Sequence, residues 1–159
     1  MRQKILFGVL AATLAVAADL RAQTRFGVQA NFGTDTDFGI GGRAIFGLRS
    51  LFPTTPLDGH VTFDWFFPGN DVTYWELNGN VAYRFHVQRN LGPYVGGGLN
   101  IAHVSVDVPL AGTVSDTDVG LNVLGGITFG ARGRATPFVE LRGELGGGDQ
   151  LIMTGGLRF

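Results

Sequence analysis

Cysteine is absent from this chain of 159 residues, and lysine occurs only once, as Lys4. The absence of cysteine excludes a disulfide framework, a thiolate metal site and a lipid-modified cysteine anchor. Charged residues make up only 16% and the net charge is −1, so the basic stripe of a nucleic-acid-binding protein is missing. After the amino terminus, no apolar run reaches the ~18 residues that a transmembrane helix requires. A chain of one domain's length must therefore obtain its stability from its fold or its solvent.

Residues 1–22 have the organisation of a secretory signal peptide. Arg2 and Lys4 form a basic start, residues 5–18 are apolar or small, and Leu-Arg-Ala at 20–22 offers a cleavage site. Cleavage after Ala18 is the alternative. The apolar core is too short for a retained membrane anchor. We therefore predict an exported protein whose mature domain comprises residues 23–159.

Glycine and phenylalanine are abundant, with 26 Gly and 13 Phe, and the mature chain has a dominant period of two. Turn residues interrupt this alternation at regular intervals. The pattern predicts eight strands, at about 25–32, 38–46, 59–67, 73–85, 92–106, 118–130, 137–145 and 150–159. A long connection is expected at 47–58, and the longest loop of the opposite end at 107–117. Each strand has roughly the ten residues that a tilted strand needs to cross a bilayer.

The orientation of the apolar face distinguishes a membrane barrel from a soluble lipocalin-like barrel or a secreted β-sandwich. Three features favour an apolar outside. Aromatic residues concentrate near strand ends, the polar face carries both signs in near balance, and arginine without lysine suits confined ion pairs. We predict an all-β fold, an eight-stranded antiparallel up-and-down transmembrane β-barrel.

This orientation predicts three sets of side chains. The lumen is expected to hold a charge network of Arg25, Arg43, Asp64, Glu76, Arg84, Glu140, Arg142, Glu144 and Arg158. One aromatic girdle would comprise Phe32, Phe38, Trp65, Phe67 and Trp75, and the other Phe26, Phe46, Tyr83, Phe85, Phe129 and Phe159. Inner-face glycines are expected to make room for the Arg and Glu stems: Gly39, Gly41, Gly96, Gly98 and Gly120. The interior of eight strands is only wide enough for side chains to fill.

The last strand shows the clearest alternation, with Leu151, Met153, Leu157 and Phe159 on one face. This ending, the signal peptide, Gly-Pro-Tyr-Val-Gly-Gly-Gly at 92–98 and Pro-Phe-Val-Glu-Leu at 137–141 resemble the small Gram-negative outer-membrane β-barrel family, of the OmpX, opacity-protein and OmpA-barrel type. The resemblance implies an outer-membrane location, contact with outer-membrane lipid and lipopolysaccharide, and a monomer. It also implies that these four residues are an assembly signal, recognised by the barrel-assembly machinery after transport by periplasmic chaperones.

The resemblance implies a structural or surface-interaction role rather than an enzyme. A narrow small-solute channel is one alternative, which planar-bilayer conductance would test. The other is a hydrolase, because His103 and Ser105 share a strand face and resemble the His-x-Ser pair of outer-membrane lipid A 3-O-deacylases. A histidine base beside a serine nucleophile suits ester hydrolysis, but here Asp116 or Asp118 would have to orient the histidine across a hairpin.

No cofactor or metal is expected. The histidines are scattered along the chain, and the aspartates of the predicted loops are of the kind that usually cap turns. These residues are His60, His86 and His103, and Asp35, Asp37, Asp116 and Asp118.

Deletion of Phe159 tests the predicted assembly signal. Because the terminal aromatic residue would be lost, the mutant is expected to accumulate in the periplasm or to be degraded. Cell fractionation followed by immunoblotting measures this. Normal outer-membrane levels of the truncated protein would contradict the role given to Phe159.

Overall fold

The computed structural model describes residues 24–69, 72–87, 90–108, 112–130, 135–146 and 149–159. In this range eight antiparallel strands pair in chain order, and β1 pairs with β8, so that the sheet closes into a barrel. The strands are β1 (Arg25–Gly33), β2 (Asp37–Gly47), β3 (Leu57–Phe66), β4 (Val72–Arg84), β5 (Leu91–Val108), β6 (Gly112–Phe129), β7 (Thr136–Leu145) and β8 (Leu151–Arg158). The predicted eight-stranded antiparallel barrel is confirmed. The predicted signal peptide and most of the connection between the sixth and seventh predicted strands, at 131–134, lie outside the described residues.

Side chains alternate between the outside of the barrel and its lumen along each strand. On β7, Leu141 is 52% exposed while its neighbour Arg142 is 0% exposed. The same alternation of exposed apolar and buried polar residues runs along β1, β3 and β8. The barrel is therefore apolar outside and largely polar inside. No helix in the described part of the chain has the length and hydropathy needed to cross a bilayer.

The two ends of the barrel differ in their connections. At the terminus end, where β1 begins and β8 ends, the connections are 48–56, 85–90 and 130–135. At the opposite end, called the hairpin end below, the connections are 34–36, 67–71, 109–111 and 146–150. The long connection predicted at 47–58 is observed at the terminus end. It is folded back on itself by hydrogen bonds, including Phe52 N to Leu48 O at 2.8 Å, and Leu48 is buried.

Aromatic side chains lie on the outside near both ends. At the hairpin end Phe38 stacks on Phe67 at 6.2 Å between ring centroids, and Trp75 stacks on His103 at 5.1 Å. Exposed residues of the two predicted girdles are Phe32, Phe38, Trp65 and Phe67 at this end, and Phe26, Tyr83, Phe85, Phe129 and Phe159 at the other. Trp75 and Phe46 are half-buried, and the ring of Phe46 covers Gly59.

The prediction of a loop at 107–117 is wrong, because most of this segment is strand. β5 and β6 have 18 residues each, whereas the other strands have between 8 and 13. Val106 pairs with Val114 and Ser105 with Ser115, so the ladder continues through the segment. Its β-branched residues, which include Thr113, Val114 and Thr117, favour strand structure, although its polar content is typical of a loop.

Three glycines on the inner face make room for aromatic rings. A Cβ atom on Gly156 would lie 2.6 Å from Cε1 of Phe138, and one on Gly39 would lie 2.7 Å from Cδ1 of Phe66. One on Gly126 would collide with the hydroxyl of Tyr94.

The expectation that the predicted glycines accommodate Arg and Glu stems is wrong for Gly39, Gly41, Gly96 and Gly98. Their nearest side-chain neighbours are Phe66, Asp64, Ala82 and Asn80, respectively. In each case this neighbour is the residue that pairs with the glycine on the adjacent strand. Gly27, which was not among the predicted glycines, does face the stem of Arg43, at 3.1 Å from Cγ.

Candidate functional site

A bidentate ion pair crosses the lumen between β2 and β7. Nη1 and Nη2 of Arg43 donate to the two oxygens of Glu140 at 3.1 and 3.0 Å. Both side chains are almost fully buried. The Arg43 guanidinium also lies 4.1 Å from the ring centroid of Phe138. This geometry suits arginine, whose planar fork matches a carboxylate and stacks on aromatic faces.

A second cluster surrounds Arg142, which contacts three carboxylates. Its Nη2 donates to Glu76 at 2.8 Å and to Asp64 at 3.3 Å, and its Nε donates to Glu144 at 2.9 Å. All four side chains are 0% exposed. Neutral donors satisfy further lone pairs: Gln150 donates to Glu76 at 2.8 Å and to Glu144 at 3.2 Å. The carboxylates come from β3, β4 and β7, so one arginine ties distant parts of the wall together.

Gln29 and Tyr94 join these clusters into one hydrogen-bonded network. Gln29 accepts from Arg43 Nε and donates to Asp64 at 2.5 Å. The hydroxyl of Tyr94 donates to Glu140 and accepts from Arg158, each at 2.7 Å. The network therefore runs along the lumen from Arg158 near the terminus end to the cluster of Arg142 near the hairpin end.

Two of the nine predicted lumen charges lie at the rim. Arg25 and Arg84 are partly exposed at the terminus end, where both pair with Asp58, at 3.6 and 2.6 Å. Asp58 is 2% exposed. It was assigned to a connection in the sequence analysis, but the structure places it on β3 with its side chain on the polar face. The other seven predicted lumen charges are buried and belong to the network.

The hairpin end of the lumen is filled by an apolar cluster. Phe66, Tyr74, Ala102 and Ile152 are buried there, with Val104 packed against them. Above them Thr36 donates to Gln150 at 2.9 Å. Side chains therefore occupy the cross-section at this end, as expected for an eight-stranded barrel.

Four aromatic residues of the interior were not among the predicted lumen residues: Phe66, Tyr74, Tyr94 and Phe138. Their position along the strand carried the available signal. Phe138 alternates with Val139 and shares the parity of Glu140, just as Tyr74 shares that of Glu76. The alternation alone therefore places these rings in the lumen.

His103 does not contact the carboxylates that the hydrolase hypothesis requires. Its Nδ1 lies 2.8 Å from Oγ1 of Thr117, its direct partner on β6, and its ring stacks on Trp75. Asp116 and Asp118 flank Thr117 and therefore point to the opposite face of the hairpin. Oδ1 of Asp116 accepts from the backbone N–H of Thr117. The described residues thus assemble a His–Thr pair and not a Ser–His–Asp arrangement.

No group of three or more His, Asp or Glu residues in the described part of the chain has the arrangement of a metal site. Asp35 lies within 3.4 Å of the hydroxyl of Thr34, and Asp149 accepts from the N–H of Gly146 at 2.7 Å.

Solved structures share this architecture. The chain is similar to the N-terminal β-barrel domain of Pseudomonas aeruginosa OprF, with 16% identity, 86% of this chain and 98% of that chain covered, and a TM-score of 0.64. Neisserial surface protein A (NspA) is 18% identical, with 85% of this chain and 94% of that chain covered and a TM-score of 0.62. Ail, the attachment invasion locus protein of Yersinia pestis, is 12% identical, with 86% of this chain and 97% of that chain covered and a TM-score of 0.58.

No protein-family model and no curated protein sequence matches the chain. At sequence identities below 20%, structural similarity shows a shared fold but not a shared activity. The chain therefore has the fold of the small eight-stranded outer-membrane β-barrels, and the resemblance found in the sequence is confirmed at the level of architecture.

Substitution of Arg142 by Met tests the ion cluster. Because three buried carboxylates would lose their counter-charge, we expect unfolding free energy to fall by about 3–5 kcal/mol. Replacing Arg142, Asp64, Glu76 and Glu144 together by apolar residues should recover much of this loss. Arg49→Met, at an exposed position, is the control. Urea titration in lipid vesicles gives the values, and an Arg142→Met variant as stable as the control would refute the enclosed network.

Proposed function

We propose that this protein is an integral outer-membrane β-barrel with a structural or surface-interaction role. The observation that carries the proposal is the reversal of the usual distribution of side chains, with exposed Leu141 beside fully buried Arg142. A lipid environment accounts for such an apolar outside, and a closed barrel leaves no unpaired edge within the bilayer. The outer-membrane location, the contacts with lipopolysaccharide and the use of the barrel-assembly machinery belong to this proposal. The fold shared with OprF, NspA and Ail supports it.

The filled lumen favours a structural role over a channel. The bidentate pair of Arg43 and Glu140, the cluster of Arg142 and the apolar cluster around Phe66 occupy successive levels of the interior. A solute would have to displace charge-assisted hydrogen bonds at two of these levels, which are the stronger hydrogen bonds in proteins. The contacts of His103 likewise give the hydrolase hypothesis no support.

Leu141→Arg tests the membrane environment. If Leu141 faces lipid near the bilayer midplane, the arginine should lower unfolding free energy by about 2–4 kcal/mol in lipid vesicles. Leu145→Arg, close to the hairpin end of the same strand, is the matched control and should cost less, since the penalty falls toward the interface. Equal and negligible losses at both positions would mean that the apolar face does not contact lipid.

The surface-interaction role rests on the long β5–β6 hairpin. The β6–β7 ladder ends at the pair Leu121–Leu145, yet β6 continues to Gly112. Among the described residues, 114–120 have no β-ladder partner on the β7 side. An unpaired strand edge of this kind recruits an extended segment by β-augmentation. We propose that this edge, residues 114–120, binds an extended peptide segment of another protein.

The charge of this edge indicates which partner fits. Asp116 and Asp118 are exposed on it. A second copy paired through a two-fold axis perpendicular to the sheet would bring residues of equal parity together. In registers centred on residue 116 or 117, Asp116 would lie opposite Asp116 or opposite Asp118. Like charges directly opposite are destabilising, so a basic partner strand is favoured over self-association. The other exposed aspartates of the hairpin end, Asp35, Asp37 and Asp149, have the same sign. Ail has been solved in complex with the heparin analogue sucrose octasulfate, but such an anion would be repelled by these carboxylates.

A strand-forming peptide of alternating lysine and threonine probes the edge. We expect saturable binding to the wild type that is lost in the double variant Asp116→Lys, Asp118→Lys, because attraction becomes repulsion. Asp35→Lys with Asp149→Lys changes the net charge equally at the same end and is the control. Fluorescence anisotropy of a labelled peptide measures the affinity. Equal loss in both double variants would show that only overall charge matters and would refute the edge as the binding site.

A further inference from the structure

A cavity of about 250 Å³ opens at the terminus end, between β4, β5, β6, β7 and β8. Its lining is basic and hydroxyl-rich. Three arginines, Arg25, Arg84 and Arg158, line it together with His86, while Tyr94, Thr128 and Thr136 contribute hydroxyl groups. No carboxylate belongs to this lining in the described part of the chain. The cavity is therefore positive, and its hydrogen-bond donors are chiefly the guanidinium groups, since the hydroxyls of Tyr94 and Thr128 already donate to Glu140 and to the carbonyl of Gly92.

Arg158 is a buried cation without a carboxylate partner. It is only 4% exposed, and no side-chain carboxylate of the described residues lies within ion-pair distance of it. Its Nη2 donates to Tyr94, its guanidinium lies 4.5 Å from the ring centroid of Phe138, and its Nε has no hydrogen-bond partner. Burying an unpaired charge is costly, so an arrangement of this kind calls for an anion.

The rest of the terminus end does not supply that anion. Asp58 is the carboxylate nearest to the rim arginines, and it is shared by Arg25 and Arg84. No other carboxylate of the described residues lies within ion-pair distance of Arg25, Arg84 or Arg158. Positive charge thus exceeds negative charge around the cavity.

We propose that this cavity is a binding site for a phosphate-type anion, either free or as a lipid headgroup. Arg84 and Arg158 provide the charge-assisted hydrogen bonds, and the hydroxyl group of Thr136 adds a neutral donor. Guanidinium groups are the preferred partners of phosphate oxygens because their planar forks donate in pairs. The volume accommodates one such group with its hydration.

The test uses the whole protein refolded in a zwitterionic detergent and titrated with inorganic phosphate against chloride at equal ionic strength. Isothermal titration calorimetry should show saturable phosphate binding. Arg158→Gln and Arg84→Gln should each weaken it about tenfold or more, as expected when a charged hydrogen bond is lost. Arg49→Gln, an exposed arginine of the same end outside the cavity, should leave it unchanged.

Asp58→Asn separates this site from general charge or stability effects. It removes the carboxylate that neutralises Arg84 and Arg25, so phosphate should bind more tightly than in the wild type. Should Arg158→Gln fail to fold, as judged by heat-dependent migration in SDS gels, Arg84→Gln and Asp58→Asn still decide the matter.

The lipid composition identifies the source of the phosphate group. If a headgroup occupies the cavity, phosphatidylglycerol in phosphatidylcholine vesicles should compete with phosphate, and otherwise the phosphate affinity should be unchanged. Three results would overturn the proposal: no binding beyond that of chloride, equal weakening in Arg49→Gln, or weaker binding in Asp58→Asn.

Discussion

The buried guanidinium of Arg142 is the contact on which the interior depends. It holds three carboxylates from β3, β4 and β7 within 3.3 Å in a space closed to water. Burying each carboxylate without a counter-charge would carry a large desolvation penalty, and the ion pairs with Arg142 offset that penalty for all three. The neighbouring amides and hydroxyls follow from this arrangement, because the lone pairs that Arg142 does not reach need donors, which Gln29, Gln150 and Tyr74 supply.

Closure of the barrel makes this network possible and also limits it. Eight strands leave a narrow lumen, so large side chains fit only where the opposite or neighbouring inner position is small. Glycine at 39, 126 and 156 meets that requirement for Phe66, Tyr94 and Phe138. The Phe138 ring then stacks with both Arg43 and Arg158, and the Tyr94 ring stacks with Arg158, so the glycines also position the cations of the network.

The two ends of the barrel carry opposite charge. Arg25, Arg49 and Arg84 lie at the terminus end, whereas the exposed charged residues of the hairpin end are aspartates. The end at which the unpaired β6 edge projects, over roughly 20 Å of strand, is therefore the acidic one. If the hairpin end faces the outside of the cell, a partner would meet carboxylates first, and the basic cavity would face the periplasm.

The sequence by itself determined the strand count, the closing strand and the side of each strand that is polar, because a period of two and its turn residues depend only on local chemistry. It placed Arg43, Glu140 and Arg142 on the inner face. It could not show that Arg43 forms an ion pair with Glu140 or that Arg142 contacts three carboxylates. Those choices depend on the stagger between strands, which brings residues 97 and 78 positions apart into contact. The tertiary structure also decided that residues 112–117 are strand rather than loop, since a polar segment pairs when a partner strand lies beside it. Likewise, only the closed barrel brings Arg158 from one end of the sheet beside Tyr94 from its middle and leaves the cation facing a cavity to which no described residue contributes a carboxylate.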